Sequence, residues 1–246
     1  MTVPGTLFLL PVPLGDAEPT LVLSAAALQV ARTAMYVLAE NARSARAFLK
    51  AAGHPGPIQQ VRIVQIGTDP QPAQARQWLQ PLREGGDAAL VSEGGCPAVA
   101  DPGATVVACA HDLGLRVQAL VGPSSILLAL MASGMNGQHF RFHGYLPQQS
   151  GALADSLRRL DREAARGETQ IFIETPYRTQ RLFVAILDHC DDATLLCLAL
   201  DLGSASETTV TRSIAGWRAI AQTELPDLHR RPAVFLLCGS AGDQRR

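Results

Sequence analysis

The sequence predicts an α/β protein made of two α/β/α domains, the first with a mainly parallel sheet and the second with a mixed sheet. In the first half, short apolar runs alternate with segments of helical spacing, which is typical of parallel strands joined by crossover helices. In the second half, the runs 193–200 and 206–214 are too close together for a helical crossover. These two runs therefore indicate an antiparallel pair.

The elements of the first half follow one another as strand and helix. Predicted strands cover 6–12, 34–40, 61–66, 88–93 and 115–121, and predicted helices cover 19–33, 41–52, 71–84 and 103–113. The second half is predicted to contain helices at 126–135, 151–167, 177–189 and near 215–222, with strands at 139–146, 169–175, 193–200, 206–214 and 232–239. The fifth strand ends near residue 121 and divides the chain into halves of similar size, so we expect domains at 1–120 and 121–246. No low-complexity linker separates the two halves.

Composition narrows the class of protein. The chain has 246 residues, of which 47% are hydrophobic, and a formal net charge of −1. A chain of this size buries a substantial core, but it lacks the overall positive charge that would recruit nucleic acid or an anionic membrane, so an RNA partner would need a local basic patch. The five cysteines are widely spaced and form no C-x-x-C pair. They predict reduced thiols and a cytoplasmic location. The segment "MTVPGTLFLLPVPLGD" has no basic n-region or small-residue cleavage pattern, and its apolar stretch is too short to span a bilayer, so we expect no signal peptide and no membrane partner.

Several common enzyme signatures are missing. The sequence contains no G-x-G-x-x-G after a strand, no P-loop, no G-x-S-x-G elbow and no H-E-x-x-H. An ordinary dehydrogenase, phosphotransferase, serine hydrolase or zinc protease is therefore disfavoured. His139 and His143 lie four residues apart on an alternating run without a nearby carboxylate, so we predict a structural role for them and no metal site.

The loops after the predicted parallel strands are the places where a ligand is expected. They read "PVPLGD", "AENARSA", "GTDPQ", "EGGCPAVADPG" and "GPSS". Glycine and proline are frequent in them, and both favour rigid turns in which a ligand can approach the bare backbone. These loops predict a site in which main-chain groups hold a flat, polar small molecule.

Taken in order, six segments resemble those of the tetrapyrrole methylase superfamily, and within it the branch that methylates a ribose 2′-hydroxyl of small-subunit ribosomal RNA. These segments are "LFLLPVPLGDA", "AENARSA", "LVSEGGCPAVADPG", "ALVGPSSILLAL", "GYLP" and "FIETPYR". The resemblance extends from about residue 5 to residue 239. It implies a methyltransferase that binds S-adenosylmethionine in the cleft between two α/β/α domains, as a homodimer, with ribosomal RNA or the small ribosomal subunit as partner.

The resemblance also implies which residues contact the cofactor. In the first half these are Pro11, Gly94, Gly95, Cys96 and Val99; in the second half they are Ser124, Ser125, Glu174, Gly203 and Ala233. Because the donor methyl group is already activated, the enzyme would contribute chiefly orientation and charge.

The acceptor side is predicted from residues at strand ends. Glu40 and Asp101 are candidates for a catalytic base, and Asn41, Tyr177 and Arg178 are candidates for substrate binding. Some of these residues also have a structural alternative. Glu40 or Asn41 would cap the helix predicted at 41–52, and Asp101, followed by Pro102, would cap the helix predicted at 103–113. The arginines of the helix near 151–167 could contact phosphates, but nearby acidic residues favour a solvated, internally paired helix face.

The acceptor segments depart from those of the RNA-methylating branch. "QIGTDPQ" replaces a histidine-containing segment, "ALDLGSASE" replaces a basic one, and "RRPAVFL" replaces "KGEMVL". Two alternatives therefore accompany the prediction of an RNA methyltransferase: an enzyme that methylates a tetrapyrrole-like or other small molecule, and a cofactor-binding regulatory protein without catalysis.

Overall fold

A computed structural model of the chain describes residues 3–220 and 226–239. The chain forms two compact units, Met1–Ser124 and Ser125–Arg246. Each unit contains one five-stranded sheet.

The sheet of the first unit, predicted to be mainly parallel, is parallel between all of its paired strands. Its strands are β1 (Thr6–Leu9), β2 (Tyr36–Ala39), β3 (Arg62–Gln65), β4 (Ala88–Val91) and β5 (Arg116–Ala119), in the order β3-β2-β4-β1-β5. The central strands β2 and β4 are buried along their whole length. Short, continuously apolar strands of this kind are expected when helices cover both faces of a sheet.

Six α-helices accompany this sheet among the residues of the unit that the structure describes. They are α1 (Pro19–Val22), α2 (Ala25–Thr33), α3 (Ala42–Ala51), α4 (Pro72–Trp78), α5 (Gln80–Arg83) and α6 (Ala104–Asp112). On one face, α2 and α3 pack against Val37 and Val91, and on the other face α4, α5 and α6 pack against Leu38 and Leu90. Consecutive strand residues thus enter opposite cores, as the pleat of a strand requires.

Two predicted helices are each divided in two. The segment 19–33 is interrupted because Leu23 is extended and the hydroxyl of Ser24 accepts a hydrogen bond from the Ala27 backbone N–H at 3.2 Å, which starts α2 anew. The segment 71–84 is interrupted at Leu79, after which α5 begins at Gln80 with Pro81 in its first turn. Proline has no N–H to continue a helix and is tolerated only in a first turn. The prediction of continuous helices here was wrong.

The second unit contains the mixed sheet predicted from the sequence. Its strands are β6 (Phe140–Tyr145), β7 (Thr169–Glu174), β8 (Leu195–Leu200), β9 (Thr208–Ser213) and β10 (Ala233–Cys238), in the order β6-β7-β10-β8-β9. Only β6 and β7 pair in parallel; β8 and β9 form the expected antiparallel pair.

In the described part of the second unit, residues 125–220 and 226–239, there are four helices: α7 (Ser125–Ser133), α8 (Ser150–Ala164), α9 (Thr179–His189) and α10 (Ile214–Ala219). Its core contains two aromatic pairs. Phe172 and Phe235 stack with ring centroids 5.7 Å apart, and Phe183 meets Trp217 edge-on at 5.4 Å. Both geometries are favourable for aromatic rings. Among the described residues, no helix has the length and apolar character needed to cross a membrane.

Candidate functional site

The loops at the carboxyl ends of β1 and β4 are joined by main-chain hydrogen bonds. The Val12 N–H donates to the Gly95 carbonyl at 2.9 Å, and the Gly95 N–H donates to the Val12 carbonyl at 2.8 Å. Gly95 has a φ of 77°, a conformation that favours glycine. The pairing fixes the backbone of both loops against each other.

The loop after β5 packs against the loops that follow β1 and β4. A Cβ atom added to Gly122 would lie 2.2 Å from the Cβ of Pro11, so only glycine allows these two loops to approach so closely. The Cys96 thiol faces the Pro123 carbonyl, with 3.3 Å between sulfur and oxygen, and burial raises the pKa of this thiol. Three loops, those after β1, β4 and β5, therefore form one cradle of packed backbone.

Strand order explains why a ligand site is expected at this cradle. β1 and β4 are neighbours in the sheet, and the strands that follow them in the chain, β2 and β5, lie on opposite sides of this pair. Such a reversal opens a crevice at the carboxyl edge of a parallel sheet, where ligands of α/β proteins bind. Gly94 and Val99 are exposed beside the paired backbone.

Three acidic residues interact near this edge: Glu40 after β2, and Glu93 and Asp101 after β4. Burial raises the pKa of the Glu40 carboxyl, the charges of Asp101 and Glu93 raise it further, and a hydrogen bond from the Glu93 backbone partly offsets the rise. Burial likewise raises the pKa of Asp101, with a further contribution from Glu93 and an opposing hydrogen bond from Ser92. Carboxyls of this kind are stronger bases than exposed ones.

Asp101 is not a helix cap. The helix α6 starts at Ala104, its N-cap is Gly103, and the carboxylate of Asp101 is instead hydrogen-bonded by Ser92. The structural alternative for Asp101 was therefore wrong. The loop before it is strained, since Ala98 and Ala100 have φ values of 66° and 62°. Non-glycine residues in this conformation cluster at functional sites.

Asn41 does have a structural role. Its Oδ1 atom accepts hydrogen bonds from the backbone N–H groups of Arg43 at 2.9 Å and Ser44 at 3.4 Å, so Asn41 is the N-cap of α3. Of the two residues considered as caps here, Asn41 is the one whose side chain caps the helix.

In the second unit, the strand register brings three of the predicted cofactor residues to one end of the sheet. Ala233 is the partner of Glu174 on one side and of Leu200 on the other. The turn after Leu200 contains Gly203, whose N–H donates to Glu207 at 2.7 Å. Asp201 in the same turn pairs with Arg231 at 2.6 Å, which anchors the turn beside the start of β10.

Glu174 and Arg178 bind each other. Their closest atoms, Oε1 and Nη2, are 2.5 Å apart, and the side chain of Glu174 is 7% exposed. The Nη1 atom of Arg178 is buried without a hydrogen-bond partner.

Tyr177 is 81% exposed, and its ring centroid lies 5.8 Å from the guanidinium of Arg230. Ser124 ends the first unit, and Ser125 begins α7.

The sequence interpretation missed Glu93 as a member of the site. Glu93 was not among the candidate residues, although it lies within two residues of the end of β4. Its position in the loop was a usable signal, but its interaction with Glu40 and Asp101 depends on the sheet order.

Among the described residues, no group of three His, Cys, Asp or Glu side chains could hold a metal ion. His143 instead lies with Nε2 2.7 Å from Oε1 of the buried Gln170.

The fold is that of the two-sheet α/β methyltransferases. The methyltransferase CobJ superposes with a TM-score of 0.62 at 16% identity, covering 98% of this chain and 95% of that one. Uroporphyrin-III-C-methyltransferase from Thermus thermophilus superposes with a TM-score of 0.54 at 21% identity, covering 97% and 94%.

Residues 6–216 match the family of Tetrapyrrole (Corrin/Porphyrin) Methylases, and the chain belongs to this family. The chain is 29% identical to ribosomal RNA small subunit methyltransferase I of Xylella fastidiosa, over 99% of this chain and 85% of the relative. It is 28% identical to the protein of the same name from Escherichia coli O157:H7, over 83% of this chain and 68% of the relative. The predicted family, fold class and methyltransferase activity are confirmed.

Proposed function

We propose that this chain transfers the methyl group of S-adenosylmethionine to ribosomal RNA of the small subunit, at a ribose 2′-hydroxyl. The observation that carries the proposal is the similarity, across 99% of the chain, to a relative named ribosomal RNA small subunit methyltransferase I. The site described above is compatible with this chemistry in both its backbone and its charge.

The cradle fits the cofactor. When bound, S-adenosylmethionine supplies an activated methyl group on a positively charged sulfonium. The exposed Gly94, next to the paired backbone of Val12 and Gly95, offers main-chain groups without an intervening side chain, and the carboxylates nearby favour a cation. The proposed contacts are Pro11, Gly94, Gly95, Cys96, Val99 and Ser124 in the first unit and Ser125, Glu174, Gly203 and Ala233 in the second.

Glu40 and Asp101 are the proposed catalytic residues. Methyl transfer to a hydroxyl releases a proton, and a carboxylate with a raised pKa accepts it more readily than an ordinary one. Asn41, Tyr177 and Arg178 are the proposed substrate contacts. The Asn41 Oδ1 is occupied by the α3 cap, so its amide N–H₂ group is the part that would face the acceptor.

Two measurements test this function. Calorimetry with S-adenosylmethionine and S-adenosylhomocysteine should show binding of both, and absence of binding would refute the proposal. Tritium should then pass from labelled cofactor to purified small ribosomal subunits. Transfer to a tetrapyrrole or another metabolite in place of RNA would support the small-molecule alternative, and binding without any transfer would support a regulatory protein.

The same proposal includes a cytoplasmic homodimer. All five cysteines are free thiols, which suits a reducing compartment. On α7, Leu127 and Met131 are 51% and 79% exposed and lie one turn apart, so they present apolar surface that a second copy could cover. Light scattering should give twice the monomer mass. Charged substitutions at both positions should return it to the monomer mass, and an unchanged dimer would exclude α7 from the interface.

A further inference from the structure

The solvent face of α3 is basic. Arg43, Arg46 and Lys50 are exposed on this helix, whereas Phe48 and Leu49 enter the core. The basic residues are spaced i, i+3 and i+7, so they form one stripe along the helix, about 10 Å long at 1.5 Å per residue. We call these three residues the α3 stripe.

The positive charge of the α3 stripe is not compensated. The helix α3 contains no acidic residue, and no ion pair found among residues 3–220 and 226–239 involves the stripe. The helix α8 differs in this respect. Its Arg158 pairs with Asp155 at 3.0 Å, and its Glu163 pairs at 3.5 Å with Arg166, which lies two residues beyond the end of the helix.

Most of the stripe is unfavourable for its own helix, and Lys50 in the last turn is the exception, because a positive charge there complements the helix dipole. Arg43 is at the second helical position after the N-cap Asn41, where a positive charge opposes the helix dipole. Arg43 and Arg46, and Arg46 and Lys50, are like-charged neighbours on one face, which is also unfavourable. A binding partner of negative charge would account for a pattern that the isolated helix does not favour.

The stripe begins next to the acidic residues of the candidate site. Glu40 directly follows β2, and Arg43 lies three residues after Glu40, which limits their Cα separation to about 11 Å. A polyanion lying along α3 would therefore extend to the edge of the sheet where the candidate base is located.

We propose that the α3 stripe binds the phosphate backbone of the acceptor RNA. This inference rests on the proposed function. The surface is a convex helix face, which suits an extended polyanion better than a small molecule that needs a concave pocket. Ala47 is the exposed apolar residue between the stripe residues, so α3 lacks the large apolar side chains with which a helix inserts into a membrane.

The test is the triple substitution Arg43→Gln, Arg46→Gln and Lys50→Gln. Affinity for a fragment of small-subunit ribosomal RNA is measured at several salt concentrations for both proteins. We expect the slope of log K against log salt to become shallower by about 2, from about 0.7 for each lost phosphate contact. The KM for RNA should rise at least tenfold, while kcat at saturating RNA and the Kd of S-adenosylmethionine stay unchanged.

A matched control removes three arginines that are paired in the structure. Arg76→Gln, Arg158→Gln and Arg166→Gln lower the net charge equally, and each of these arginines has an acidic partner. The control should keep the wild-type salt slope and KM. A second variant, Arg43→Lys, Arg46→Lys and Lys50→Arg, preserves charge and should retain most RNA affinity.

The outcomes separate this inference from the proposed function. If the wild type methylates RNA and the stripe variant has the same salt slope and KM, the α3 stripe is not the RNA contact, although the function stands. Equal losses in the stripe variant and the paired-arginine control would overturn the stripe in favour of net charge alone. Stripe-dependent binding to phosphatidylserine vesicles without any change in RNA binding would also overturn it. A wild type that methylates no RNA refutes the proposed function itself.

Discussion

At the scale of single residues, the acidic group formed by Glu40, Glu93 and Asp101 is the most informative part of the site. Burial and neighbouring carboxylate charges raise the pKa of Glu40 and of Asp101, and the loop that contains Asp101 is held in a strained conformation at Ala98 and Ala100. Arrangements that cost stability are retained where function needs them. Removing one charge should therefore stabilise the fold and impair the reaction.

The variant Asp101→Asn tests this trade-off. A carboxyl with a raised pKa in the folded state stabilises the fold below its ordinary pKa, and this contribution is lost as pH rises through the raised value. Near pH 7.5 the neutral asparagine should therefore give a higher Tm than the wild type, with the difference vanishing near pH 3. Methyl transfer should fall by about 10²-fold if Asp101 is the base. In the exposed pair on α8, Asp155→Asn should change neither Tm nor rate appreciably.

The charge of Glu93 should set the pH dependence of the reaction. Its carboxylate raises the pKa of both Glu40 and Asp101, so Glu93→Gln should lower both. Because a general base must be ionised, the acidic limb of the profile of kcat against pH should move to lower pH in this variant. The exposed Glu84 provides the control, since Glu84→Gln should leave the profile unchanged. An unmoved acidic limb in Glu93→Gln would show that neither carboxyl controls the rate.

At the scale of elements, the cradle depends on how closely three loops approach. Gly122→Ala would place a methyl group 2.2 Å from the Cβ of Pro11, so the loops after β1 and β5 must separate. We expect a loss of about 1–3 kcal/mol in the free energy of unfolding and weaker binding of S-adenosylmethionine by calorimetry. Gly137→Ala is the control, because nothing lies within 4 Å of its added Cβ. Equal behaviour of the two variants would contradict the close approach.

The start of α3 allows the structural and binding roles of Asn41 to be separated. Asn41→Ala should cost about 1 kcal/mol, because the Arg43 and Ser44 N–H groups lose their acceptor. Asn41→Asp retains a capping oxygen and should keep the stability, as measured by chemical denaturation. If the amide N–H₂ group binds the acceptor, methyl transfer by Asn41→Asp should nevertheless fall. Full activity in this variant would leave Asn41 with the capping role alone.

At the scale of the whole molecule, each unit has a core of its own. The second unit is organised around β10, which is buried throughout and lies between β7 and β8. Phe235→Ala removes a fully buried ring that stacks on Phe172 and should cost about 3–5 kcal/mol. Denaturant titration measures this loss. The exposed Phe140, on the edge strand β6, is the comparison, and Phe140→Ala should cost much less.

The positions of the charged residues are more informative than the net charge of the molecule. The net value of −1 excludes a general affinity for RNA, yet the segment 19–66 contains five basic residues against Glu40 alone. Within the first unit, Glu40 of the candidate site and the basic stripe of α3 are thus close in sequence and opposite in sign. The net charge calculated from the composition does not show this local separation of acidic and basic residues.

The sequence by itself determined the family, the parallel and mixed sheets and the order of the strands along the chain. These follow from local periodicity and from motifs whose residues are contiguous, such as "SEGGCPAVADPG". It also located the loops of the candidate site, since the carboxyl ends of parallel strands share one edge.

Only the tertiary structure decided which of the candidate residues interact. Glu40 lies more than 50 residues from Glu93 and Asp101, and they interact because β2 and β4 are neighbours in the sheet. Gly122 and Pro11 are likewise distant in sequence, and only the packing of their loops brings them together. Helix starts were also decided this way, as Gly103 and not Asp101 precedes α6. Contacts between distant residues depend on strand order and loop packing, which the local pattern of a sequence does not contain.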